Sequence, residues 1–162
     1  MTVCFTGHRP QSLPFGTDEQ HPLCLELKAR LTEEIQTVIK NGADTFYTGM
    51  ALGVDTFAAE AVLKEKEKNS SIKLIAAVPC PSQSNSWSKA EKARYNAILE
   101  RCDAVAMVSD HYYRGCMHVR NRYMADRSDL LIAVYDGHSK GGTASTVQYA
   151  QKKGLTIIQL IP

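Results

Sequence analysis

Residues 47–55, YTGMALGVD, join a short run of strand-forming residues to a segment rich in alanine. Residues 45–48 have the β-branched and aromatic side chains that favour a strand, whereas the alanines after residue 55 favour a helix. Gly49 and Gly53 allow a tight turn and a close approach of the main chain between the two elements. Residues 47–55 therefore predict the strand-to-helix turn from which α/β sheets are built.

The alternation of strand and helix continues along the rest of the chain. Six runs have strand character, and most are continuously apolar, which is typical of strands covered on both faces. These runs are residues 3–6, 45–48, 72–78, 104–108, 130–135 and 156–161. Helical patterns fill the intervals: an apolar stripe from Leu27 to Ile39, an alanine-rich segment around residues 58–62, and residues 88–101 and 143–153. The sequence predicts one domain over residues 1–162, a doubly wound, mostly parallel Rossmann-like α/β sheet of about six strands with helices on both faces.

The composition agrees with such a domain and narrows its partners. A chain of 162 residues that is 44% hydrophobic is long enough for one core. Its 19 basic and 17 acidic residues give a net charge of +2, too small to indicate a nucleic-acid or membrane surface. Five scattered cysteines form no C-x-x-C pair, residues 1–10 lack the basic and apolar regions typical of a signal peptide, and no apolar window is long enough to span a membrane. We expect a cytoplasmic protein with reduced thiols and no membrane partner.

The turn after residue 48 also predicts an anion site. Asp55 follows Gly53 with the character of a helix N-cap. The first N–H groups of a helix lack partners within the helix and carry the positive end of its dipole, so they bind phosphate. The spacing G-x-x-x-G-x-D is neither the dinucleotide fingerprint nor the P-loop. A tight turn with a cap explains this motif by itself equally well.

Three further segments place similar residues beside strand ends. TGHRP, residues 6–10, ends the first strand, and YDGHSKGGTAST, residues 135–146, ends the fifth and opens a helix that Thr143 or Ser145 would cap. MHVRNRYMADRSD, residues 117–129, carries Arg120 at helical spacing. In an open parallel sheet, ligands bind beyond the carboxyl ends of the strands, where the strand order reverses. Glycine-opened helices with arginines nearby favour a phosphorylated ligand.

Phosphate contacts alone would give weak binding. One arginine bond contributes about 1.5–3 kcal/mol and one helix N-terminus about 0.3–2 kcal/mol, which together approach only the roughly 4 kcal/mol of a millimolar complex. Useful affinity therefore requires ribose and base contacts. Asp55 would accept from a hydroxyl, and Trp87 or Tyr95 would stack on a base, although Trp87 would equally serve as a lid packed on the sheet edge.

The predicted ligand-binding residues lie in these strand-end segments and in the Ser-rich loop of residues 79–88. They are Thr6, Gly7, His8, Arg9, Gly49, Gly53, Asp55, Gln83, Trp87, Arg120, Asp136, Gly141, Gly142 and Thr143. The histidines His8, His111, His118 and His138 include no pair at zinc-site spacing, so no metal is expected. No cofactor is required beyond a nucleotide-derived ligand.

Taken together, the segments resemble the SLOG superfamily of Rossmann-like nucleotide-ligand binders, and within it the YpsA-like proteins. The similarity covers nearly the whole chain, and these segments fall in the order of the family: TGHRP, TGMALGVDTFAAEA, PCPSQSNSW, RYNAIL, RNRYMADRSDLLIAVYDG and GGTASTVQYA. The resemblance implies a domain that holds ADP-ribose, NAD or a mononucleotide as a sensor or regulatory module.

The LOG phosphoribohydrolases of the same superfamily suggest a second function. Their M-H-x-R-K motif is similar to residues 117–121, which places their catalytic arginine on Arg120. Their catalytic glutamate falls on Thr146, and a threonine cannot act as a carboxylate. An enzyme of this kind, a nucleoside-phosphate or nucleotide-sugar hydrolase, would need a displaced carboxylate such as Asp129, Asp136 or Glu60. Whether the chain is an enzyme stays open at this point.

A third function is single-stranded DNA binding, as in the superfamily member DprA. Arg114, Arg120, Arg122 and Arg127 cluster in the sequence. The small net charge and the few aromatic residues argue against a nucleic-acid partner, so this function ranks last. A homodimer is a further expectation, since homodimers are common among soluble proteins.

Overall fold

The computed structural model describes residues 1–137 and 140–162, so His138 lies outside the described residues. The strands are β1 (Thr2–Gly7), β2 (Thr45–Thr48), β3 (Lys73–Val78), β4 (Ala104–Met107), β5 (Leu130–Val134) and β6 (Thr156–Leu160). The helices are α1 (Pro22–Lys40), α2 (Val54–Lys68), α3 (Lys89–Arg101), α4 (Cys116–Asp126) and α5 (Gly142–Lys152), with a short 3-10 helix at Pro10–Ser12. Each predicted strand is present, with bounds that differ by no more than one residue at either end.

The six strands form one parallel sheet in the order β4-β3-β2-β1-β5-β6, which confirms the predicted fold class. From β1 the chain builds outward to β4 and then returns to place β5 on the other side of β1. The strand order therefore reverses between β1 and β5, where Gly7 pairs with Val134. The chain leaves β1 toward one face of the sheet and leaves β5 toward the other. A crevice therefore forms beyond the ends of these two strands.

Helices cover both faces of the sheet. Val3 and Phe5 of β1 point into a core that they share with α1, α2 and α3, while Cys4 points into a second core with α4 and α5. The apolar stripe of α1 is buried as predicted, except that Ile39 is only partly buried. The outer strand β4 is less covered, since Val105 and Met107 are 47% and 49% exposed. The continuous apolar pattern of residues 104–108 therefore did not reveal that this strand lies at an edge.

Two helix starts differ from the sequence prediction. The N-cap of α2 is Gly53, and Asp55 lies buried in the first turn. The N-cap of α5 is Gly141, so neither Thr143 nor Ser145 caps it. For α2 the reason is steric: Gly53 has a φ of +87°, and a Cβ there would lie 2.8 Å from the carbonyl oxygen of His8. The turn needs a residue without a side chain at the cap position.

Within the described ranges, no helix has the length and apolar character needed to cross a bilayer.

The five cysteines are free thiols, and all except Cys102 are buried. Burial raises the pKa of Cys4 to about 12 and that of Cys102 to about 11. Both thiols are therefore protonated near neutral pH and weakly nucleophilic.

Candidate functional site

A cavity of about 490 Å³, here called the crevice, opens where β1 and β5 end. Its position is the one that the reversal of strand order predicts. One wall follows β1, a second is the start of α5, a third is the first turn of α2, and α4 closes the remaining side. The residues that line it are Phe5, Thr6, Gly7, His8, Arg9, Gln11, Ser12, Ala51, Asp55, Met117, His118, Arg120, Asn121, Asp136, Lys140, Gly141, Gly142 and Thr143.

The structure brings most of the predicted ligand-binding residues into the crevice. Thr6, Gly7, His8, Arg9, Asp55, Arg120, Asp136, Gly141, Gly142 and Thr143 all line it. Gln83 and Trp87 border a neighbouring cavity of about 210 Å³, and Gly53 and Trp87 border another of about 270 Å³. Gly49 lies below the crevice, against the side chain of Arg120.

Arg120 reaches the crevice from α4 and is only 3% exposed. Its Nη1 donates to the carbonyl oxygens of Gly49 and Ala77, and its Nε donates to Asn121 Oδ1 at 2.7 Å. In the described part of the chain, Nη2 contacts Met117 Sδ at 3.9 Å. A thioether sulfur is a weak acceptor, so Nη2 keeps donor capacity for a ligand oxygen.

Asp55 faces the guanidinium of Arg120 across the main chain of Gly49. A Cβ at Gly49 would lie 2.6 Å from Arg120 Nη1 and 2.8 Å from Asp55 Oδ2. Burial raises the pKa of Asp55, and the charge of Arg120 together with a hydrogen bond from the amide of Ala51 opposes that rise. Burial lowers the pKa of Arg120, and the Coulombic interaction with Asp55 opposes that decrease. Gly49 is therefore required because the buried side chains of Arg120 and Asp55 approach the position that a Cβ would occupy.

One end of the crevice is formed by the start of α5. Gly141, Gly142 and Thr143 line the cavity, and the cap residue Gly141 has no side chain that would occupy the first-turn amides. Lys140 precedes them and is exposed, as is Arg9 on the opposite wall. Their charges and the helix dipole make this end of the crevice attractive to an anion.

The start of α2 offers fewer amides to an anion than the glycine pattern of residues 49–53 suggested. The amide of Val54 donates to the carbonyl oxygen of His8 at 3.4 Å, and the amide of Ala51 donates to Asp55 Oδ2 at 3.2 Å. Thr48 Oγ1 accepts the amide of Met50 at 3.2 Å. Three amides of this junction, those of Met50, Ala51 and Val54, therefore have partners within the protein.

Sequence reasoning missed several crevice residues. Lys140 could have been found, because it directly precedes the Gly141–Gly142 pair. His118 and Asn121 could also have been found, since they neighbour Arg120 on a segment with helical spacing. Gln11 and Ser12 gave no signal, because they reach the crevice only through the 3-10 helix that folds residues 10–12 over it.

The structure separates the three carboxylates considered for a hydrolase. Glu60 pairs with Arg94 on the outer side of α2, and Asp129 accepts the amide of Thr2 at 2.8 Å at the opposite end of the sheet. Asp136 lines the crevice. Thr146, at the position of the LOG glutamate, is 4% exposed and donates to the carbonyl oxygen of Gly142 at 2.8 Å.

Residues 1–137 and 140–162 contain no group of three His, Cys, Asp or Glu side chains placed to hold a metal ion.

Comparison with known proteins agrees with this architecture. A sequence profile described as the YspA SLOG family matches residues 3–160. The uncharacterized SPbeta prophage-derived protein YoqJ of Bacillus subtilis strain 168 is 35% identical over 146 residues, which cover 82% of this chain and 85% of that protein. A UPF0398 protein of Halalkalibacterium halodurans is 28% identical over 153 residues, 93% of this chain and 80% of the relative.

Among solved structures, DNA processing protein A of Helicobacter pylori superposes with a TM-score of 0.65 at 21% identity. The alignment covers 98% of this chain but spans only 64% of that one, which is described by its single-stranded DNA binding mode. At this identity the similarity shows a shared fold.

Proposed function

Because the chain belongs to the YspA SLOG family, we propose that it is a cytoplasmic sensor or regulatory module that binds a nucleotide-derived ligand of the ADP-ribose, NAD or mononucleotide class. The crevice at the end of β1 and β5 is the site of binding. The phosphate lies at the start of α5, and the rest of the ligand extends between Arg9 and Arg120.

The observation that carries this proposal is the start of α5 in the crevice. Gly141 and Gly142 begin the helix and line the crevice without a capping side chain, and Lys140 and Arg9 supply positive charge. A cavity of about 490 Å³ is large enough for a small organic ligand. Anion binding at a helix N-terminus is a general property of helices, and here it coincides with the topological switch point.

Calorimetric titration with AMP and ADP-ribose tests the proposal. Lys140→Ala removes an exposed cation beside the α5 amides, and we expect an affinity roughly ten-fold lower, the effect of one charge-assisted hydrogen bond. The matched control is Lys152→Ala, which removes an exposed lysine at the other end of the same helix. Equal affinities for the two variants, or no binding of either nucleotide to the unchanged protein, would contradict the proposal.

A second candidate is hydrolysis of a nucleoside phosphate or nucleotide sugar. It is favoured by the presence of Asp136 and Arg120 in one crevice. Asp136 would act as the base or stabilise positive charge on the ribosyl carbon, the role that Thr146 cannot perform. Chromatography of AMP or ADP-ribose after incubation decides between binding and turnover, because a hydrolase releases free base or ribose phosphate and Asp136→Asn would stop that release.

Single-stranded DNA binding is a further candidate, supported by the structural similarity to DNA processing protein A. In this case the crevice would hold one nucleotide of a strand, and adjacent phosphates would need additional cationic contacts.

A further inference from the structure

The crevice continues into two further cavities. The cavity of about 210 Å³, here called the middle cavity, shares Arg9, Gln11, Ala51 and Met117 with the crevice. The cavity of about 270 Å³, here called the end cavity, shares Leu52 and Trp87 with the middle cavity. Because neighbouring cavities share wall residues, the three cavities lie in a row, here called the trough, from the start of α5 to Trp87.

The end cavity has a different chemical character from the crevice. Phe57, Trp87 and Tyr95 border it, and the rings of Trp87 and Tyr95 lie edge to face with centroids 5.3 Å apart. Trp87 is half-buried and lines both the middle and the end cavities. Aromatic side chains in such positions bind flat rings by stacking, with little dependence on which base is present.

A chain of hydrogen bonds joins the two ends of the trough. The carbonyl oxygen of Gly49 accepts from Arg120 Nη1 and also from Gln83 Nε2 at 3.1 Å. The Gln83 side chain in turn accepts from the hydroxyl of Tyr95 at 3.4 Å. The buried cation of the crevice and the aromatic wall of the end cavity are therefore held by one network.

The loop of residues 8–21 forms a common wall and is anchored in place. Arg9 and Gln11 line the crevice and the middle cavity, while Glu19 lines the end cavity. Glu19 accepts two hydrogen bonds from Arg94 of α3, at 2.6 and 2.9 Å. Because this wall is ordered by contacts within the protein, a ligand would not have to order it on binding.

We propose that the trough binds an extended, dinucleotide-type ligand. Its pyrophosphate lies in the crevice at the start of α5, and one of its flat rings stacks on Trp87 in the end cavity. This inference rests on the proposed function and narrows it, because a mononucleotide held at the start of α5 would leave the aromatic end of the trough empty.

Fluorescence titration tests this inference directly, since Trp87 is the single tryptophan in the chain. We expect NAD to change the emission of Trp87 at saturation and AMP to leave it nearly unchanged. Calorimetry gives the affinities: Trp87→Leu should weaken NAD binding roughly ten-fold, within the range of one base–aromatic stack, and leave AMP binding unaltered. Tyr112→Leu, which removes an aromatic side chain that is 64% exposed, is the matched control.

The outcomes separate this inference from the proposed function. If NAD binds, loses affinity in Lys140→Ala, and is indifferent to Trp87→Leu, the crevice is the binding site and the extended ligand is wrong. Unchanged Trp87 emission at saturating NAD in the native chain would also overturn it, independently of how well the variant folds. If neither NAD nor AMP binds, both proposals fail.

Discussion

Gly49 illustrates how a single residue of the candidate site is constrained. The sequence predicted a turn with an anion site at Gly49, whereas the structure places the side chains of Arg120 and Asp55 against this residue. The glycine is what allows both groups to approach the same point of the main chain.

At Gly49, addition of one methyl group should destabilise the protein. We expect Gly49→Ala to lower the free energy of unfolding by about 1–3 kcal/mol, the usual cost of overpacking a buried site. Urea denaturation followed by circular dichroism measures this change.

The control for that substitution is Gly142→Ala. A Cβ at Gly142 meets no atom within 4 Å of the described structure, and the residue opens α5 with an ordinary φ. Its stability should be unchanged or slightly higher, because alanine favours a helix over glycine. Equal effects of the two substitutions would show that the space around Gly49 does not matter.

Among the elements, the loop of residues 8–21 is held by a cluster of ion pairs. Glu19 pairs with Arg94 of α3 and with Lys28 of α1 at 2.6 Å, and Arg94 also pairs with Glu60 of α2. Hydrogen bonding to Arg94 lowers the pKa of Glu19 from 4.5 to about 2, against the effect of burial. The cluster thus connects the loop to the three helices on one face of the sheet.

The stability provided by Glu19 should depend on pH. Since the pKa of Glu19 is lower in the folded state, its contribution is present above the unfolded value near 4.5 and is lost as pH falls toward 2. Glu19→Gln should cost about 1 kcal/mol at pH 7, a figure reduced for solvent screening of a partly exposed pair. That cost corresponds to a melting temperature lower by about 2–4 °C.

Thermal unfolding at pH 7 and pH 3 checks this expectation. The difference between the native chain and Glu19→Gln should shrink at pH 3. Glu33→Gln makes the same chemical change on an exposed part of α1 and should have little effect at either pH. A difference of constant size at both pH values would rule out the ionised carboxylate as its cause.

Over the whole molecule, three of the four arginines that cluster in the sequence, Arg120, Arg122 and Arg127, have different surroundings. Arg120 is buried at the crevice, Arg127 lies over the ring of Tyr123 at 3.6 Å, and Arg122 lies 5.1 Å from the ring of Tyr149. Consecutive turns of α4 therefore use them for different contacts. Together with a net charge of +2, these different surroundings favour a local anion site over a long basic surface.

The salt dependence of oligonucleotide binding distinguishes these two arrangements. If Arg9 and Lys140 are the exposed cations that meet phosphate, affinity for oligo(dT) should fall only about seven-fold between 50 and 200 mM salt, as roughly two neutralised phosphates predict. Fluorescence anisotropy measures this slope. Lys140→Ala should reduce the slope of log affinity against log salt concentration by about 0.7. A decrease on the order of a hundred-fold would instead favour an extended single-stranded DNA interface.

Local patterns were sufficient to predict the elements. The strand at residues 45–48 was placed with its observed bounds, and the α3 region began as expected at Ser88, which forms a capping box with Glu91. These features depend on side chains a few residues apart, so the order of residues along the chain contains them. Continuous apolar strands separated by helices also determined the α/β class and, through it, the edge of the sheet at which to seek a site.

Only the tertiary structure decided how the site is assembled. The approach of Arg120 to Gly49 joins residues 71 positions apart, and that of Arg94 to Glu19 joins residues 75 apart. Neither is encoded in a local pattern, because each depends on how separate elements pack against the completed sheet. The sequence by itself determined the parallel α/β fold and the glycine-rich helix starts, since hydrophobic periodicity and backbone freedom are local. Packing alone decided which charged side chains approach each other and that cavities beside the crevice extend to Trp87.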